Sequence, residues 1–119
     1  MKFEFAIKPH EYEPGIVFED AACHGVYIEV GSDDTYDWFR KQGLEGNGYT
    51  VLGLVDSLCR LKLQEDTGKY LMEAEADNTW VYGREKEPID RLVDEFREMT
   101  ADEAGVKRLI ENASSGMLD

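Results

Sequence analysis

Hydrophobic residues in this chain follow two different periods, and they do so in blocks. Phe3, Phe5 and Ile7 alternate with Lys2, Glu4, Ala6 and Lys8, the two-residue repeat of a strand with one buried face. Ile16-Val17-Phe18 reads as a second strand. Ala21 to Val30 reads as a third, with Cys23, Val26, Ile28 and Val30 as its apolar positions and a bulge at Gly25. The period then lengthens. Ser32 is placed to cap a helix, Asp33 and Asp34 sit where the helix dipole favours negative charge, and Thr35, Trp38 and Phe39 form its inward face up to a stop at Gly43. Val51, Leu54, Val55, Leu58 and Leu61 give the stripe of a second helix, with Thr50 as its expected cap and a turn at Asp66-Thr67-Gly68.

The two-residue period returns at Tyr70, Met72, Ala74 and Ala76, with Leu71, Glu73, Glu75 and Asp77 on the other face. A turn at Asp77-Asn78-Thr79 and a return strand Trp80-Val81-Tyr82 complete a hairpin. Pro88 suits the first turn of a third helix whose stripe is Ile89, Leu92, Val93, Phe96 and Met99. Thr100-Ala101-Asp102-Glu103 fits a capping box that starts a fourth helix burying Val106, Leu109, Ile110 and Ala113. The order β-β-β-α-α-β-β-α-α predicts an α+β fold, a mainly antiparallel sheet with about four helices packed against it. The 119 residues fit one domain spanning 1–119, with 113–119 as a frayed tail.

Charge narrows the function classes. Twenty-six acidic residues against 13 basic ones leave a formal charge of −13. Nucleic acid and anionic membranes call for clustered Lys and Arg, so neither is an expected partner. A cationic protein surface is the partner that such a chain attracts; solubility alone is the competing reading of the same charge. No segment approaches the length of a membrane span, and Glu4 interrupts the first apolar stretch, so a cytoplasmic location without a signal peptide is expected. Cys23 and Cys59 do not make a disulfide framework and read as small core residues of a reduced protein.

Sites for chemistry are sparse. His10, Cys23, His24 and Cys59 lack zinc-like spacing, and Cys23 and His24 point to opposite faces of a strand, so no metal and no cofactor are expected. Paired carboxylates such as Glu19-Asp20 and Asp33-Asp34 are what chance gives in so acidic a chain. Glu73, Glu75 and Asp77 stand out because period two aligns them on one strand face, where like charges repel. Gly46-Asn47-Gly48 lacks the lysine of a phosphate loop and reads as a structural turn that delivers Tyr49, ring packed, to the next helix. Trp80 and Tyr82 share a strand face; core burial is the default, and partial exposure would make them binding anchors.

Gly46-Asn47-Gly48-Tyr49 leading into an amphipathic helix, then Glu75-Ala76-Asp77 with Trp80 soon after, then a Leu/Val/Phe-striped helix, resembles the Imm51-type immunity proteins of bacterial polymorphic-toxin systems. The resemblance runs from Cys23 to Asn112. Thr50-Val51 stands where that pattern has Asp-Trp, and Trp80 where phenylalanine is common. The resemblance implies a non-enzymatic cytoplasmic protein that binds and blocks a cognate toxin, with no catalytic residues. The acidity extends this to a basic toxin surface, such as a nuclease cleft. Candidate contacts are Asp33, Asp34, Asp37, Glu45, Glu73, Glu75 and Asp77, with Tyr49 and Trp80 as aromatic anchors. A small hydrolase working through His24 or paired carboxylates, or a regulatory interaction module, are the alternatives. Both a monomer and a homodimer are compatible with the sequence.

Overall fold

The computed structural model describes residues 1–15, 18 and 22–113. Two strands come first, β1 (Phe5–Tyr12) and β2 (Cys23–Val30), followed by two helices, α1 (Asp33–Lys41) and α2 (Gly48–Lys62). A 3-10 turn at Gln64–Asp66 leads to the hairpin β3 (Leu71–Ala74) and β4 (Thr79–Gly83), then α3 (Lys86–Met99) and α4 (Glu103–Glu111). The four strands form one antiparallel sheet in the order β1-β2-β4-β3. The fold is therefore α+β, as the blocks of periodicity predict. The expected strand at 16–18 and the tail beyond 113 lie outside the described residues, apart from Phe18.

One face of the sheet carries the core. Val26, Ile28 and Val81 are buried in a single cluster with Phe39 of α1, Leu54 and Leu58 of α2, Leu92 and Phe96 of α3, and Val106 and Leu109 of α4. All four helices thus feed one core, α2 and α3 lying directly against the strands, and their stripes are those expected from the 3.6-residue spacing. Aromatic edges tie the N-terminal segment to this core. Phe3 meets Trp38 edge-on at 4.9 Å and Phe5 meets Phe96 at 5.0 Å. The Trp38 indole N–H donates to Glu103 at 2.9 Å, which fastens α4 to α1 and holds the Glu103 carboxyl below its ordinary range.

Three local expectations need correction. The cap of α2 is Asn47, whose side-chain oxygen accepts from the Tyr49 and Thr50 backbone N–H groups; Thr50 instead accepts from Gly46 N–H at 3.0 Å. The cap of α4 is Asp102, accepting from Gly105 N–H, while the Thr100 hydroxyl donates back to the Phe96 carbonyl at the end of α3. Both errors are frame errors of two or three residues among cap-forming side chains. No bulge occurs at Gly25, which pairs in register with His10 and Tyr82. Its role is clearance: a Cβ there would lie 2.9 Å from Tyr82 Cδ1 and 3.1 Å from the Val81 carbonyl.

One ion pair, between a buried carboxylate and a partly exposed arginine, locks the helical layer. Asp66 accepts two hydrogen bonds from Arg91, 2.7 and 2.9 Å long, in the side-on geometry that a guanidinium offers a carboxylate. Tyr70 closes the site by donating to the Pro88 carbonyl at 2.7 Å. The Arg91 hydrogen bonds hold the Asp66 carboxyl below its ordinary range against the opposing pull of burial.

Candidate interaction surface

Glycine positions the first part of the surface. Gly43 and Gly46 take left-handed backbone angles (φ 83° and 74°), which lets the segment after α1 reverse direction sharply. Gly48 then starts α2 hard against the β3–β4 turn. Its N–H donates to the Ala76 carbonyl, its own carbonyl accepts from the Thr79 hydroxyl, and a Cβ would collide with the carbonyl oxygens of Glu75 and Asn78. The expected structural role of Gly46-Asn47-Gly48 is thus realised as a docking seam between the α1–α2 loop and the hairpin.

That seam creates an acidic cleft. Its walls are Glu29, Val30 and Gly31 at the end of β2, Ser32, Asp33 and Tyr36 at the start of α1, Glu45, Gly46 and Asn47 in the loop, and Asp77 in the hairpin turn. The cleft encloses about 470 Å³ and four carboxylates drawn from four segments. Arg40 reaches Glu45 at 3.4 Å from outside, and the Tyr27 hydroxyl donates to Glu29 at 2.5 Å. No grouping of His, Cys, Asp and Glu among the described residues has the geometry of a metal site.

The second part is the sheet face that the helices leave open. Register sets its rows. Lys8, Tyr27, Trp80 and Glu73 are aligned across all four strands, and His10, Gly25, Tyr82 and Leu71 form the next row. Trp80 packs 5.0 Å from Tyr27 and 5.0 Å from His10, and lies parallel to Tyr82 at 6.1 Å. Tyr12 meets Tyr82 edge-on at 5.8 Å. Trp80 and Tyr82 are therefore half-buried on the open side, not in the core that was the default for them. Leu71 stays 50% exposed. The hydrogen bond to Glu29, then burial, raises the Tyr27 phenol; burial, with Tyr12 and Glu73 nearby, pushes Tyr82 up to about 12. Both hydroxyls are thus donors at neutral pH.

Tyr27 joins the two parts, because its ring belongs to the open face and its hydroxyl ends on a carboxylate of the cleft. Among the expected contact residues, Asp33, Glu45 and Asp77 converge on the cleft, while Glu73 and Trp80 meet on the open face. Asp34 and Asp37 are exposed on α1 away from the cleft lining, and Tyr49 is 48% exposed, more open than the packed ring expected of it. Glu73, Glu75 and Asp77 do not share a strand face. β3 ends at Ala74, where the Glu75 N–H to Asn78 carbonyl bond of 2.9 Å turns the chain. Glu29, Tyr27 and Tyr36 were not expected at the site. The Gly25-Tyr27-Glu29 alternation opposite Val26-Ile28-Val30 is the sequence signal that marks the first two.

The histidines and cysteines are dispersed. His10 lies on the open face, whereas His24 lies opposite Glu11, its Nδ1 3.3 Å from Glu11 Oε1 without hydrogen-bond alignment. Burial raises the Cys23 thiol, and burial with Asp56 and Asp66 pushes Cys59 up to about 12, so neither is poised as a thiolate. No helix among the described residues is long and apolar enough to cross a membrane. No protein-family model, curated protein or solved structure matches the chain.

Proposed function

We propose that this chain is an immunity protein that neutralises a cognate bacterial toxin by covering a basic surface of it, acting by binding rather than by transforming a substrate. The observation that carries the reading is the cleft in which Glu29, Asp33, Glu45 and Asp77 converge beside an open aromatic sheet face. Four carboxylates held within one concavity repel one another, and a partner's arginine or lysine side chains relieve that repulsion while filling the space. Such charge complementarity steers fast encounter with a basic partner, including a nuclease toxin whose own cleft is built for phosphate. The toxin assignment itself comes from the resemblance carried by Gly46-Asn47-Gly48-Tyr49 and Glu75-Ala76-Asp77. A cytoplasmic location belongs to the same reading.

The test is co-expression with the toxin encoded beside it. Protection of growth by the native protein, lost in an Asp33→Lys/Asp77→Lys variant that remains folded, is the expected result. The purified variant should bind the toxin at least about tenfold more weakly, with a shallower salt dependence. Cell death despite abundant native protein would reject the toxin role. Unchanged affinity of the variant would remove the cleft from the interface.

A further inference from the structure

We infer that the open aromatic face is a platform for cationic side chains, on which arginine- or lysine-bearing segments of the partner lie across Tyr27, Trp80 and Tyr82 and end on Glu29 and Glu73. This rests on the reading of the chain as a binder of a basic protein, and it names a second part of that interface, which adjoins the cleft and shares Glu29 with it.

Composition of the face is the first argument. A sheet side exposed to water in an antiparallel fold is ordinarily polar. Here it holds Tyr12, Tyr27, Trp80, Tyr82 and Leu71, and no described element covers them. Tyr and Trp are the side chains that anchor protein interfaces. One of the chain's own cations gives the second argument. Lys8 Nζ sits 5.9 Å from the Tyr27 ring centroid, on the same row. The Tyr27 ring of this face thus already attracts a cation, as its negative π-face dictates.

Charge decides among occupants. Glu73 stands opposite Trp80 on the β3 edge, and Glu29 follows Tyr27 by two residues on the same face of β2. A cation stacked on Tyr27 or Trp80 thus has a carboxylate within its side chain's reach. A second copy of this chain would bring another −13 charges against that rim, and a nucleic acid strand would bring phosphates; both are repelled. A basic polypeptide surface matches the rings and the rim together.

The experiment uses the full chain labelled with 5-fluorotryptophan, whose two resonances, from Trp38 and Trp80, are assigned with Trp80→Phe. The probe is a synthetic nona-arginine peptide. The Trp80 resonance should shift saturably while that of buried Trp38 stays. Glu73→Gln, which leaves the cleft carboxylates in place, should weaken binding about threefold, whereas Glu87→Gln, which removes equal charge from an exposed position of α3, should leave it nearly unchanged. An unmoved Trp80 resonance, or equal weakening by both variants, overturns the platform. So does a Trp80 shift that follows protein concentration alone, the mark of self-association, or one produced equally by single-stranded oligonucleotide. The two readings separate cleanly. A toxin that is bound and neutralised with Trp80 unmoved removes the platform and leaves the immunity role. A peptide-dependent Trp80 shift without protection from the toxin does the reverse.

Discussion

The two faces of the sheet are built from the same strands and obey opposite rules. On the covered face, Val26, Ile28 and Val81 are aliphatic and sealed by four helices. On the open face, one residue along each strand, stand Gly25, Tyr27, Trp80 and Tyr82. Both sets are hydrophobic by composition, yet only the first behaves as a core. The difference is amphipathicity: a tyrosine or tryptophan packs its ring on its neighbours while its polar atom remains hydrated or hydrogen-bonded, as Tyr27 does with Glu29. Alternation along a strand tells which residues are together, and the packing of the helices decides which of the two sets becomes core.

Substitution should separate the faces most strongly in stability. Phe96 is fully buried and meets Phe5 edge-on, so Phe96→Ala should cost about 3–5 kcal/mol through lost transfer energy and an unfilled cavity. Trp80→Ala removes a larger ring, but one that is partly exposed and leaves no sealed cavity, so about 1–2 kcal/mol is expected. Urea unfolding of the two variants measures the contrast. Equal losses would mean that the open face is a second core, and its reading as a binding surface would fail.

Carboxylates sharpen the same comparison at the next level of effect. Asp66 is 1% exposed and paired with Arg91; Asp77 is exposed at the rim of the cleft. Arg91→Met should cost about 2–3 kcal/mol near neutral pH, because it leaves the buried Asp66 carboxylate with only Lys69, 3.6 Å away, and the Tyr70 hydroxyl as partners. Asp77→Asn should be neutral or slightly stabilising, since it relieves like-charge repulsion. The pH dependence carries the sign. The Asp66 carboxyl is held below the ordinary carboxylate range, so the native pair contributes stability that is fully present above the unfolded-state pKa and is lost as pH falls through the depressed folded one. Arg91→Met removes the largest cause of that depression, so burial weighs more strongly toward the protonated acid. The variant should therefore regain ground against the native chain on acidification, which unfolding midpoints between pH 7 and pH 3 would test. A gap that stays constant with pH would mean that Asp66 is not the group stranded.

What the sequence made legible follows from range. Helix stripes at Val51–Leu61 and Ile89–Met99 are local patterns, and so is the Ser32 cap. Cap identity at Asn47 was hidden because Asn47 and Thr50 are both cap-forming residues, and what selects between them is the hairpin turn pressing on Gly48. The Asp66–Arg91 pair joins residues 25 apart, and the cleft joins Glu45 to Asp77. No periodicity reports such meetings. The Trp80–Tyr82 face was legible as a face, but which side the helices would cover was not, since both sides of β4 are apolar.

Gly25 offers the smallest and most specific test, because it changes the open face without adding or removing a polar group. Tyr82 lies over Gly25, its Cδ1 2.9 Å from where a Cβ would be, and the Val81 carbonyl is 3.1 Å away on the backbone. Gly25→Ala must therefore swing the Tyr82 ring outward, at about 1–2 kcal/mol of crowding. It recovers about 0.5–1 kcal/mol, because alanine loses less chain entropy than glycine in a strand. The net loss lies between about 0 and 1.5 kcal/mol, small enough for the fold to survive and the local change to be read. The Tyr82 phenol, held up to about 12 chiefly by burial, should fall toward the ordinary tyrosine value as the ring gains water. A spectroscopic titration of the variant against the native chain measures this. An unshifted titration would mean that the ring stays in place and the neighbouring backbone yields instead, which would make the open face a rigid surface rather than an adjustable one.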